Sequence, residues 1–132
     1  MSSIKTTIKL ETTTLFPSPV SVTVPITEQV NGDADFSVVI VEANSDQIIF
    51  ESSAADASGT VYFYIQSITS NLGNVDVYIT DQSSAEVKTF KLIPGDFAWF
   101  PLAVDAAGIK VRINNADLAN SAKINYFYGE RA

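Results

Sequence analysis

The sequence predicts an all-β protein, a single antiparallel β-sandwich of jelly-roll type with about eight to ten strands over residues 1–132. Short apolar runs recur along the chain, and nearly all of them alternate apolar with polar residues, as strands with one buried face do. Turn-forming residues separate these runs, and no helical period persists. The 132 residues, of which 46% are hydrophobic, suit one domain with its own core. Strands at this spacing indicate an antiparallel sandwich or jelly roll.

The first two predicted strands lie on either side of a proline-rich break. Residues 4–10 alternate, and their apolar positions share one face: Ile4, Ile8 and Leu10 are the main ones. This strand is a candidate for pairing at a free sheet edge, and pairing inside its own sheet is the competing interpretation. The second strand covers 20–26, where Pro25 indicates an edge or a bulge because proline has no backbone donor.

The next predicted strand, residues 36–42, is apolar on both faces. A turn signal at Asn31-Gly32-Asp33 precedes it. Val38 and Ile40 lie on one side, with Val39 on the other, so the pattern predicts burial on both sides, as at a contact between subunits. A short strand from Gln47 to Glu51 follows.

The remainder of the chain alternates in the same way after a small, polar loop at residues 52–59. Six further strands are predicted, at residues 61–65, 75–80, 86–93, 97–102, 109–114 and 123–128. Pro94-Gly95-Asp96 is the strongest tight-turn signal among the segments that separate them.

The chain contains neither histidine nor cysteine, which restricts its chemistry. The commonest metal ligands and the usual bases for a nucleophilic serine are therefore missing. Fifteen acidic residues always offer pairs of the kind that glycosidases use, so this signal has almost no specificity. We expect a protein that is not an enzyme, with no catalytic residues, no cofactor and no metal site.

One acidic segment resembles the spacing of a calcium-binding loop. Asn31, Asp33, Asp35 and Glu42 fall at its positions 1, 3, 5 and 12. Phe36 occupies the place where the sharp turn of such a loop needs glycine, and the strand pattern begins there. We therefore interpret the segment as an acidic turn.

The net charge of −7 argues against direct binding of nucleic acid, because phosphate contacts need lysine and arginine.

The first ten residues contain no apolar core of a signal peptide. No stretch approaches the roughly 18 apolar residues of a membrane span. We expect synthesis in a cytoplasm without membrane association.

Aromatic residues provide the candidate binding platform. Ring faces bind protein surfaces and the C–H-rich faces of sugars. The residues singled out in the predicted strands are Phe97, Trp99, Phe100, Tyr62 and Tyr64. The competing interpretation is that these rings fill the core or an interface between subunits, because they occur at period two inside strands.

The second half of the chain resembles small virion proteins of tailed bacteriophages. The resemblance begins with Val-Tyr-Phe-Tyr-Ile-Gln-Ser (61–67) and Asn-Val-Asp-Val-Tyr-Ile-Thr (74–80). It continues with Phe-Lys-Leu-Ile-Pro-Gly-Asp-Phe-Ala-Trp-Phe (90–100) and Gly-Ile-Lys-Val-Arg-Ile-Asn-Asn (108–115), and closes with Tyr-Phe-Tyr-Gly (126–129). It rests on turn chemistry and alternation, not on a catalytic signature.

The resemblance implies a β-sandwich protein of the virion, most simply a capsid decoration or cement protein that stabilises the shell. Its partners would be the major capsid protein or other virion proteins, and such proteins are homo-oligomers, with trimers favoured. A tail, neck or fibre component, or a carbohydrate-binding adhesin module, is the alternative function.

Overall fold

A computed structural model of the chain describes residues 2–12, 20–31, 37–53, 59–81, 83, 85–104 and 106–131. These residues form ten β-strands and no helix. The prediction of an all-β fold is therefore confirmed. No helix in the described ranges is long and apolar enough to cross a membrane.

The strands follow the alternating segments of the sequence closely. In chain order they are β1 (Ser2–Thr12), β2 (Val20–Asn31), β3 (Ser37–Val41), β4 (Ser45–Glu51), β5 (Gly59–Ser67), β6 (Val75–Thr80), β7 (Glu86–Leu92), β8 (Phe97–Val104), β9 (Lys110–Asn115) and β10 (Ala122–Arg131).

Strands β3 to β10 form two antiparallel sheets with the order β3-β10-β5-β8 and β4-β9-β6-β7. Each sheet takes strands from both halves of the chain, and this order is the jelly roll, in which two Greek keys fold onto each other. The predicted jelly-roll sandwich is therefore confirmed. Strands β1 and β2 extend the first sheet to six strands through β10.

One hydrophobic core lies between the two sheets. Phe63 and Ile65 of the first sheet are fully buried, as are Val77 and Ile113 of the second. These residues occupy alternate positions of their strands, so the alternation in the sequence encodes the inner faces directly. The opposite positions form the two outer faces of the sandwich.

Strand β3 departs from the prediction that both of its faces are buried. Val39 is half-buried against the core, whereas Val38 and Ile40 are 57% and 60% exposed. The prediction of burial on both sides is wrong for the single chain, because no layer of described strands covers the outer face of this sheet.

The turn predicted at Pro94-Gly95 is present. The Asp96 amide donates to the carbonyl of Ile93 across 2.9 Å, and Gly95 has a φ of 95°. Proline followed by a residue with positive φ defines a type II turn, and glycine adopts this conformation without steric cost. The turn carries the chain from β7 of the second sheet to β8 of the first, where β8 pairs with β5.

Buried amides hold the loops at one end of the sandwich. The Asn115 side chain donates to the carbonyls of Val41 and Asn120 over 3.1 and 2.9 Å. Asn71 similarly donates to the Lys123 carbonyl over 2.8 Å and accepts from the Lys123 amide at 2.8 Å. Because both amides are buried, each provides a rigid link between segments that are distant in the sequence.

Strands β1 and β2 form a long ribbon, the N-terminal arm (2–12 and 20–31). Eleven residue pairs join the two strands without a register shift. Of the 12 residues of β2, only Val30 and Asn31 pair with β10. The other ten run beyond the last described residue of β10 and span about 33 Å at the usual rise of a strand. The arm therefore extends the sheet past the end of the sandwich.

Candidate interaction surface

The outer face of the first jelly-roll sheet is rich in aromatic and apolar side chains. We call it the aromatic face and define it by the outward positions of β3, β10, β5 and β8. The register of these strands places on it Val38, Ile40, Phe127, Tyr62, Tyr64, Phe97 and Trp99. This group of aromatic and apolar side chains on an outer face, away from the core, distinguishes the molecule from an ordinary β-sandwich.

Two pairs of rings organise the part of the aromatic face on β5 and β8. Tyr62 and Trp99 are parallel within 4°, with ring centroids 6.0 Å apart. Tyr64 and Phe97 stack at 6.0 Å and 29°. Burial raises the pKa of the Tyr64 hydroxyl, so it stays neutral over the physiological range. The four rings form a continuous strip along the edge of the sheet.

The structure brings together four of the five aromatic residues that the sequence singled out, and separates the fifth. Phe100 points into the core, where it contacts Phe63 at 5.4 Å and Phe90 at 5.0 Å. Its neighbours Phe97 and Trp99 point outward because successive side chains of a strand alternate between faces. Phe100 therefore belongs to the core and is not part of the candidate platform.

Sequence reasoning did not assign three members of the aromatic face to it. Val38 and Ile40 were recognised as one side of an apolar strand, but nothing in the sequence connected that side to Trp99. Phe127 is not among the rings that the sequence singles out, and its neighbours Tyr126 and Tyr128 lie on the opposite side of β10, toward Phe63 and the core. Pairing of Phe127 with Tyr64 in the sheet is what places it on this face.

The aromatic face carries little charge. Lys123, opposite Ile40, is the one charged residue among its described outward positions from β3, β5, β8 and from 123–129 of β10. Its polar groups include the amides of Asn125 and Gln66, which lie 3.5 Å apart. Depletion of charge and enrichment in aromatic residues are typical of the cores of protein interfaces.

The outer face of the second sheet has the opposite character, and we call it the charged face. Arg112 lies at its centre, between Asp46 at 2.7 Å and Glu86. Its guanidinium also lies 4.3 Å from the centre of the Tyr78 ring, within the range of a cation–π contact. Desolvation lowers the pKa of Arg112, but its hydrogen bonds and charge interactions with Glu86 and Asp46 raise the pKa by more.

Two further ion pairs flank Arg112 on the charged face. Lys88 binds Asp76 at 2.8 Å, and this hydrogen bond raises the pKa of Lys88. Lys110 lies 3.7 Å from Glu51. A shallow groove beside Arg112 is lined by the paired groups Lys110 and Glu51 and by Arg112 with Glu86. Because its charges already neutralise one another, the groove offers a ligand no uncompensated partner.

The residues proposed for edge pairing lie in β1, the terminal strand of the six-stranded sheet. Ile8 is half-buried there. The side chains of Ile4 and Leu10 lie outside the described part of the structure. The same holds for Asp33 and Asp35 of the acidic turn. Among the described residues, no group of three or more acidic, histidine or cysteine side chains is arranged to hold a metal ion.

Comparison with known proteins adds no relative to this description. No protein-family model matches the chain, and no curated protein matches it. The functional argument therefore rests on the aromatic face, the charged face and the arm.

Proposed function

We propose that the chain is a non-enzymatic structural protein of a bacteriophage virion, a decoration or cement protein that binds the capsid through its aromatic face. The observation that carries the proposal is the exposure of Val38, Ile40 and Phe97, at 57%, 60% and 56%, on one sheet face that carries little charge. Val38 and Ile40 lie on β3 and Phe97 on β8, with Asn125 and Gln66 between the two strands. Exposed apolar side chains gathered on one face of a protein commonly mark an interaction site.

The chemistry of the aromatic face favours a protein partner. Interface cores are depleted of charge and enriched in aromatic residues, and tryptophan and tyrosine contribute most to binding energy. Trp99 is half-buried on this face and supplies such an anchor, with the buried Tyr62 ring stacked beside it, while Val38 and Ile40 add apolar area on β3. A partner with a flat apolar surface, such as a shell subunit, fits this arrangement.

The fold supports the same proposal by analogy alone. Jelly rolls occur in viral capsid and lectin domains, among others, so the architecture is compatible with both candidate functions and decides neither. The resemblance of residues 60–130 to small virion proteins adds the preference for the virion. On that basis the protein would be made in the host cytoplasm, join the particle as a homo-oligomer and contact the major capsid protein.

Quantitative mass spectrometry of purified particles tests the proposal. The chain should be present in a copy number comparable to that of the main shell protein. A handful of copies per particle would indicate the neck, tail or fibre instead. Absence from particles would overturn the virion assignment.

A carbohydrate-binding module is the second candidate, and the stacked rings favour it. Sugar faces pack against coplanar aromatic rings, and the amides of Asn125 and Gln66 are suited to bind hydroxyl groups. Trp99 is the only tryptophan in the chain, so its fluorescence reports directly on this face.

Titration with a panel of oligosaccharides tests this second candidate. A saturable change in Trp99 emission that Phe97→Ala weakens, and that a control at the exposed Leu118 leaves unchanged, would support sugar binding. An unchanged spectrum across the panel would leave the protein-binding proposal as the better account.

A further inference from the structure

The edges of the sheets differ in how well they are protected from pairing with another chain. An edge strand exposes unpaired backbone groups, and natural proteins interrupt such edges with bulges, prolines, charges or short strands. In this molecule the interruptions are distributed unevenly, and one edge lacks a backbone interruption.

Both edge strands of the second sheet contain a bulge. On β4, Ile49 is the extra residue between the pairs Ile48–Arg112 and Phe50–Val111. On β7, Thr89 is the extra residue opposite the step from Val77 to Tyr78. A bulge breaks the regular spacing of donors and acceptors, so neither edge is a good template for a further strand.

The other edges of the first sheet are also interrupted. Strand β8 contains Pro101, which lacks a donor, in the middle of its eight residues. Strand β3 has only five residues. The free edge of β2 contains Pro25. Each of these edges therefore resists extension by a regular strand.

Strand β1 is the exception among the described edges. It has eleven residues, no proline and no register shift, and no described strand pairs with its outer edge. It also lies in the arm, where a two-stranded ribbon beyond the end of β10 is only marginally stable by itself in water. A further strand on this edge would complete the arm as a sheet.

The pairing of Thr7 with Pro25 indicates which backbone groups of β1 face outward. Pro25 has no N–H, so the ladder between β1 and β2 stays intact only where Thr7–Pro25 is a non-hydrogen-bonded pair. The N–H and C=O groups of Thr7 then point away from β2. Because the pattern repeats every second residue, the same holds for Lys5, Lys9 and Glu11.

We propose that β1 pairs antiparallel with β1 of a second copy of this chain, about a twofold axis at Ile8. In this register Lys5 lies opposite Glu11 of the second copy, and the twofold axis repeats the pair. Opposite charges on facing positions stabilise an antiparallel pair. Within its own arm, Lys5 faces Thr27 and Glu11 faces Ser21, so the contact supplies cross-strand charge partners that the arm itself does not.

The neighbouring register is disfavoured by the same residues. Moving the axis to Thr7 places Lys5 opposite Lys9 of the second copy, and like charges on facing positions destabilise the pair. Glu11 also contacts Lys9 of its own strand at 2.9 Å. Lysines on β1 thus do not block the edge in every register, but select the one in which Lys5 faces Glu11. The two copies form a four-stranded arm sheet with the order β2-β1-β1-β2.

Sedimentation velocity of the purified protein, with a matched pair of proline variants, tests the proposal. The wild type should be a dimer. Thr7→Pro removes an outward donor of β1 and should give a monomer, whereas Thr23→Pro makes the same change on the free edge of β2 and should leave the dimer intact. A monomeric wild type, a dimeric Thr7→Pro variant, or dissociation by both variants would overturn the proposal.

A charge exchange tests the register without a proline. Glu11→Lys alone should weaken the dimer about tenfold, because two opposite-charge pairs become like-charge pairs. Adding Lys5→Glu to it should restore the dimer, since the exchanged residues again face each other across the axis. Failure of the double variant to recover would overturn the register.

The proposal does not depend on the virion assignment. It concerns the purified chain and the arm, while the proposed function concerns the aromatic face and purified particles. If the protein forms a dimer through β1 but is absent from particles, the dimer proposal stands and the virion proposal is overturned. If it is present in particles but remains a monomer, the virion proposal stands and the dimer proposal is overturned.

Discussion

The two outer faces of the sandwich expose opposite kinds of side chain to solvent. On the charged face, Arg112, Lys88 and Lys110 each bind an acid from a neighbouring strand. On the aromatic face, Ile40 and Phe97 are more than half exposed. Both outer faces cover the same core, so the stability of the fold does not require one face to be charged and the other aromatic. The charged face pairs its own charges, and the aromatic face is the one proposed to bind a partner.

The contrast also separates stability from binding. Exposed apolar side chains contribute little to folding but much to association once a partner desolvates them. Ion pairs at the surface contribute modestly to folding and lose strength in salt. Substitutions on the two faces should therefore produce effects that differ from each other and from those of substitutions in the core.

The largest effect is expected on the inner side of β8. Phe100→Ala should lower the free energy of unfolding by about 3–5 kcal/mol, because it removes a buried ring that packs on Phe63 and leaves a cavity. Phe97→Ala, three positions away on the outer face, should lower it by less than about 1 kcal/mol. Urea denaturation measures both, and equal losses would contradict the assignment of the two rings to opposite faces.

Trp99 should give an intermediate effect, because it is half-buried on the aromatic face. Trp99→Ala loses its stacking on Tyr62 and should lower the free energy of unfolding by about 2 kcal/mol, roughly half the cost at a fully buried site. Thermal unfolding followed by circular dichroism measures it. A loss as large as that for Phe100→Ala would place Trp99 in the core.

On the charged face, Arg112→Met should lower the free energy of unfolding by about 1 kcal/mol, because Asp46 and Glu86 then lie close together without their shared cation. The loss should shrink in 1 M salt. Arg112→Lys, the charge-conserving control, should recover part of it. A salt-independent loss would mean that Arg112 acts through packing on Tyr78.

Acid should affect the loops through Asp117, whose carboxylate accepts hydrogen bonds from the amides of Ala119 and Asn120, which lower its pKa. A lowered pKa stabilises the folded state above the usual carboxyl pKa of about 4, and the stabilisation is lost as the pH falls through the lowered value. Asp117→Asn should therefore be less stable than wild type at pH 7 and approach it near pH 2. Urea denaturation of both proteins across this pH range measures the effect. A difference in stability between wild type and Asp117→Asn that does not change with pH would contradict the role given to the Asp117 carboxylate.

Much of the fold was predictable from the sequence, because alternation fixes strands independently of their neighbours. All ten predicted strands correspond to strands in the structure. The membership of the aromatic face was not predictable, since Phe97 to Phe100 is apolar on both sides of β8. Alternation separates Trp99 from Phe100 but does not say which points inward.

Features that depend on pairing between distant strands could not be predicted from the sequence alone. Arg112 meets Asp46 and Glu86 only because β9 lies between β4 and β6 and Glu86 projects across from β7. The arm likewise follows from the register of Asn31 with Glu130, which leaves the rest of β2 beyond β10. Nothing local to residues 4–10 distinguishes this strand from one inside the sandwich.

The most direct test of the central claim is the incorporation of two matched variants into virus particles, measured by quantitative mass spectrometry. Ile40→Asp and Val87→Asp change residues of nearly equal exposure, 60% and 62%, on the aromatic face and on β7 of the other sheet. We predict that Ile40→Asp folds normally but is lost from particles, while Val87→Asp is incorporated like wild type. Equal incorporation of both variants would contradict binding through the aromatic face.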